Sequence, residues 1–64
     1  MIAEVAEIAR KAKAERVSML AVMKSAKVSY TTWTRWRGED VTPNLGTLYK
    51  VRQALDDLIA ERSA

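Results

Sequence analysis

Lys27-Val28-Ser29-Tyr30-Thr31-Thr32-Trp33-Thr34-Arg35-Trp36-Arg37-Gly38 is the segment that dictates how the rest of the chain is arranged. It reads as a tight turn feeding a short helix. Ser29 suits an N-cap, because its side-chain oxygen can accept from the free N–H groups of the turn that follows. Trp33 and Trp36 are three apart and share one edge of the helix, the edge expected to enter the core. Tyr30, Thr31, Thr34 and Arg35, with Arg37 at the end, fall mostly on the other. Gly38 suits the residue just past a helix end. A helix of about 8 residues is about 12 Å long. With one apolar edge and one edge of hydroxyl and guanidinium groups, it has the size and chemistry to enter a groove of nucleic acid.

Upstream, Ser18 suits the N-cap of a helix over Met19–Ala26. Val22 and Ala26 should face inward, Met19 and Met23 should fill the core beside them, and Leu20 points partly outward, extending the core or meeting a second subunit. Neither glycine nor proline marks a break near Arg16-Val17, so the preceding helix, residues 2 to about 15, has a soft end. Its inward stripe is Ile2, Val5, Ala9 and Ala12. Val28, between two helices, should be buried in their angle. Downstream, Glu39-Asp40-Val41-Thr42-Pro43 is a polar loop, and Asn44 caps a long helix over Leu45–Arg62. Leu45, Leu48, Val51 or Arg52, Leu55, Leu58 and Ile59 form its apolar stripe. The far end of that stripe, Leu55, Leu58 and Ile59, is the expected dimer interface. These readings define an all-α protein: a compact bundle of four or five helices in a single domain, 1–64. A helix-turn-helix core spans about 18–38, and a C-terminal helix about 44–62.

Composition narrows the function. A chain of 64 residues forms one domain and buries only about 60% of the surface its unfolded form exposes. It has no cysteine and no histidine, so disulfides and Cys/His zinc sites are excluded and no metal or cofactor is expected. No apolar run is long enough to span a bilayer, and Met1-Ile2-Ala3-Glu4 lacks the pattern of a secretory leader, so the expected home is the cytoplasm. Catalysis and a small-molecule substrate are not expected: the acids lie on exposed helix faces or in one loop, and adjacent Asp56 and Asp57 point to different sides of a helix. The net charge is +3, and it is unevenly placed. Residues 17–38 hold Lys24, Lys27, Arg35 and Arg37 and no acid, whereas residues 39–64 are net acidic. A locally basic face is the electrostatic footprint of a polyanion binder.

Two helices joined by a three-residue turn suit duplex DNA. The N-terminal N–H groups of the first, at Ser18 and Met19, can approach a phosphate. The second can lie in the major groove, where Arg35 can bond guanine through two hydrogen bonds and Thr31 can reach a base edge or a thymine methyl. At this point the chain resembles the phage repressor and Cro-like helix-turn-helix transcription regulators. The resemblance is carried by Val17-Ser18, by Val28-Ser29-Tyr30-Thr31-Thr32-Trp33-Thr34-Arg35-Trp36, and by Thr42-Pro43-Asn44-Leu45-Gly46-Thr47-Leu48. It covers about residues 17–55. It implies base contacts from Tyr30, Thr31 and Arg35 and a phosphate contact from Thr32. Lys27 and Arg37 join the phosphate set by charge, and Thr34 as an extra hydroxyl. It further implies double-stranded DNA as partner, a homodimer, and a bacterial or phage-infected cell. Three positions depart from the family's pattern. Lys27 stands where glycine is usual, at a cost of about 1–2 kcal/mol if its backbone is left-handed. Met23 replaces the usual alanine, and Trp33 the usual valine or isoleucine; both call for a wider or differently angled helix pair. The alternative reading is a small helical protein-interaction module that keeps the fold without DNA binding.

Overall fold

A computed structural model describes residues 3–38 and 42–63. Four helices follow one another: α1 (Ala3–Ala14), α2 (Met19–Ser25), α3 (Tyr30–Arg37) and α4 (Leu45–Ser63). No strand occurs among the described residues. The radius of gyration, 10.9 Å, matches the value of about 10.7 Å expected for one packed unit of this length. The protein is therefore all-α, with its four helices gathered in a single globule.

The starts of α2, α3 and α4 follow from their caps. Ser18 Oγ accepts from the Leu20 N–H at 3.2 Å, and Ser29 Oγ from the Thr31 N–H at 3.2 Å. Asn44 Oδ1 accepts from the Thr47 N–H at 3.3 Å. Each satisfies a donor that the first helical turn leaves unpaired. Glycine at position 46 has a specific use here: a Cβ on Gly46 would lie 3.1 Å from Asn44 Oδ1, crowding the cap.

The ends of α1 and α2 share one design. Val17 N–H bonds the Ala12 carbonyl at 2.8 Å and Arg16 N–H the Lys13 carbonyl at 3.1 Å. Eleven residues on, Val28 N–H bonds the Met23 carbonyl at 2.9 Å and Lys27 N–H the Lys24 carbonyl at 3.1 Å. Both are Schellman closures, which need a left-handed residue just past the helix. Arg16 (φ 57°) and Lys27 (φ 60°) supply it. The next residue, Val17 or Val28, packs half-buried against the core, and the one after caps the next helix. The soft boundary expected at Arg16-Val17 is thus a sharp corner. It is built from the same basic-Val-Ser triplet as the later turn, and the valine contact offsets the left-handed strain. Gly38, by contrast, ends α3 with φ −80°, a conformation open to any residue.

The core comprises Val5, Ile8 and Ala12 of α1, Val22 and Met23 of α2, Trp33 and Trp36 of α3, and Leu48, Val51, Ala54 and Leu55 of α4. α2 packs against both α3 and α4, and α1 lies on α4. The two indoles meet edge to face, 6.3 Å between centroids at 70°, a favoured aromatic geometry. Met23 is fully buried and belongs to the same core cluster as the two indoles. Lys11 Nζ pairs with Asp56 Oδ1 at 2.7 Å, and the Arg62 guanidinium donates to the Glu15 carbonyl. Positions rise together along both helices, so α1 and α4 run parallel.

Several expectations shift. Ile8, not Ala9, is the main inward residue beside Val5, while Ala9 is half-buried; Ile2 lies outside the described residues. In α4, Val51 rather than Arg52 faces the core, Ala54 joins it, and Leu45 leaves it at 65% exposed. Leu55, expected at a dimer interface, is 1% exposed and used up by its own core. Leu58 and Ile59 pack half-buried against that core. The fourth helix runs unbroken to Ser63, with no fifth helix among the described residues.

Candidate nucleic-acid interface

α3 divides cleanly along its length. Trp33 and Trp36 are 2% and 3% exposed, closing one edge. At about 100° per residue, the opposite edge is Thr31, Thr34 and Arg35, and all three are exposed. Tyr30 flanks them, exposed at the helix start, and Thr32 sits half-buried on the other flank. The residues expected to read bases, Tyr30, Thr31 and Arg35, are therefore brought together on one exposed surface, with none of the other three helices over them. Arg35 and Arg37 occupy the last turn, where cationic side chains suit the negative end of the helix dipole.

The expected phosphate set is less uniform. Lys27 and Arg37 are exposed cations. Ser18 accepts its capping bond and keeps its own hydroxyl proton to donate. Met19 is half-buried, so what it presents to an anion is its backbone N–H, not its thioether. Thr32 has part of its side chain covered. Thr34 is exposed, and its hydroxyl donates to the Tyr30 carbonyl at 3.3 Å, a bond that a phosphate oxygen would have to compete with for the same proton. Arg16 is a further exposed cation: it stands two residues before the cap of α2 just as Lys27 stands before that of α3, in the repeated basic-Val-Ser triplet.

Elsewhere the surface offers little chemistry. Among the described residues no group of His, Cys, Asp and Glu could hold a metal ion, and no buried side-chain polar atom lacks a partner. A groove of about 360 Å³ lies between α1 and α4, bordered by Glu7, Ile8, Lys11, Arg52, Leu55 and Asp56 among others. It includes no residue of α3. Among the described residues no helix is long and apolar enough to cross a membrane. Comparison with protein-family models, curated proteins and solved structures returned no match.

Proposed function

We propose that the protein is a sequence-specific DNA-binding transcription regulator of the phage repressor and Cro-like kind, working as a homodimer in the cytoplasm of a bacterial or phage-infected cell. The observation that carries this reading is the division of α3. A buried pair of indoles fixes the helix by one edge, and the uncovered edge is made of hydroxyls and a guanidinium. In this reading α2 and α3 form a helix-turn-helix, with α3 in the major groove. Arg35 reads a guanine through paired hydrogen bonds, and Thr31 and Tyr30 contact neighbouring base edges. Lys27, Arg37, Thr32, the Ser18 hydroxyl and the Met19 N–H hold phosphates and set the register. A dimer would meet two half-sites about 34–36 Å apart.

A protein-interaction module is the second reading, favoured by the exposure of Leu20, Leu45 and Tyr49. Titration of duplex DNA at rising salt separates the two. A DNA reader contacting several phosphates loses affinity steeply, log K falling by about 0.9 per phosphate for each decade of salt. A salt-independent or undetectable affinity for every duplex tried by selection from a random pool would leave the interaction module.

A further inference from the structure

Leu45 and Tyr49 are at odds with the rest of α4. They are 65% and 61% exposed, whereas Leu48, Val51 and Leu55 are buried and Leu58 and Ile59 half-buried. Four residues apart, they begin a ridge that continues through Arg52 and Asp56 at helical spacing. The later half of this ridge borders the α1–α4 groove. Ile8 and Leu55, 3% and 1% exposed, form its apolar floor, and the Lys11–Asp56 ion pair ties its two walls.

We propose that two copies of this chain pair antiparallel along this ridge, the Leu45 of each copy seated over the α1–α4 groove of the other. A two-fold axis passing between positions 50 and 51 exchanges 45 with 56 and 49 with 52. Leu45 and Asp56 lie about 16 Å apart along the helix, so one apolar knob meets one groove at each end of the pair. Between them Tyr49 faces Arg52 of the second copy, ring against guanidinium, and the reciprocal contact repeats it. A two-fold interface requires such a self-complementary patch. The charges agree with a second copy as the occupant. Glu7 and Asp56 line the groove together with Arg10, Lys11 and Arg52, so both signs are present and like faces do not repel. The surface from Lys24 to Arg37 carries only bases and would repel its own copy. The ridge shares no residue with Tyr30, Thr31 and Arg35.

This pairing rests on the homodimer part of the proposed function, and it is measured without DNA so that its failure and that of DNA recognition are told apart. In sedimentation equilibrium, the mass rises with concentration from 7.2 kDa toward twice that value. Leu45→Lys stays monomeric to millimolar concentration with unchanged helicity and melting temperature, and Tyr49→Ala weakens pairing by about tenfold. The chain has no cysteine of its own, so crosslinking checks the register. Leu45→Cys mixed with Asp56→Cys gives a disulfide-linked pair on oxidation, and neither variant links to itself. A wild type that stays monomeric at millimolar concentration overturns the proposal. So does a Leu45→Lys variant that pairs as tightly as the wild type, or a Leu45→Cys variant that links to itself as readily as to Asp56→Cys.

Discussion

α3 and α4 use their surfaces in opposite ways. α3 is short and buries its two largest apolar side chains, leaving an outer edge that is wholly polar. α4 is more than twice as long and buries an aliphatic stripe, yet leaves a leucine and a tyrosine uncovered. A polar, basic edge on a firmly anchored helix suits a hydrated polyanion, where charge and hydrogen bonds do the recognising. A ridge that sets a leucine and a tyrosine beside an arginine and an aspartate suits another protein surface. The contrast separates two kinds of contact within one small globule, and substitutions in each helix can test it.

The largest expected effect falls on the anchored edge. Trp36→Ala should cost about 3–5 kcal/mol and unfold a domain this small; a stable variant by thermal melting would mean α3 is held some other way. Next is the free edge of the same helix. Arg35→Ala should leave the melting temperature unchanged and weaken specific DNA binding by about 1–3 kcal/mol, with relaxed preference at one base pair. Equal loss on random duplex would move Arg35 to the phosphate set. Lys27→Gly relieves a left-handed side chain. It should raise stability by up to about 1 kcal/mol in denaturant titration and reduce the slope of log K against log salt by about 1. The smallest effect is expected on the ridge of α4, where Tyr49→Ala should change the stability of the monomer by no more than about 0.5 kcal/mol. A larger loss there would erase the contrast, because the ridge would then belong to the core.

Local chemistry made much of this fold legible in the chain. Ser18, Ser29 and Asn44 are caps with their own hydrogen bonds, so the helix starts fall where those residues stand. The Trp33–Trp36 spacing assigns one edge of α3 to the core, and the polar edge follows by geometry. What stayed hidden depends on contacts distant in sequence. The corner at Arg16 needs a left-handed arginine, tolerated only because Val17 finds the core. Periodicity places Leu45 and Leu55 on related faces of α4, but it does not say how far along that face the neighbouring helices reach. Leu55 is covered by them and Leu45 is not. The Thr34 bond to the Tyr30 carbonyl is a choice of rotamer, which residue type alone leaves open.

The clasp between the first and last helices bears on the order of folding. The Lys11–Asp56 bond spans 45 residues and the Arg62–Glu15 bond 47, whereas the α2–α3 corner is closed by bonds between near neighbours. Closing a loop of more than two thirds of the chain costs more entropy than forming a local turn. The clasp should therefore assemble late and open early, exchanging its amide hydrogens while the tryptophan-anchored half still holds. Hydrogen exchange resolved by residue, with α1 faster than α3, is the expected pattern, and equal rates would mean that the molecule opens only as a whole.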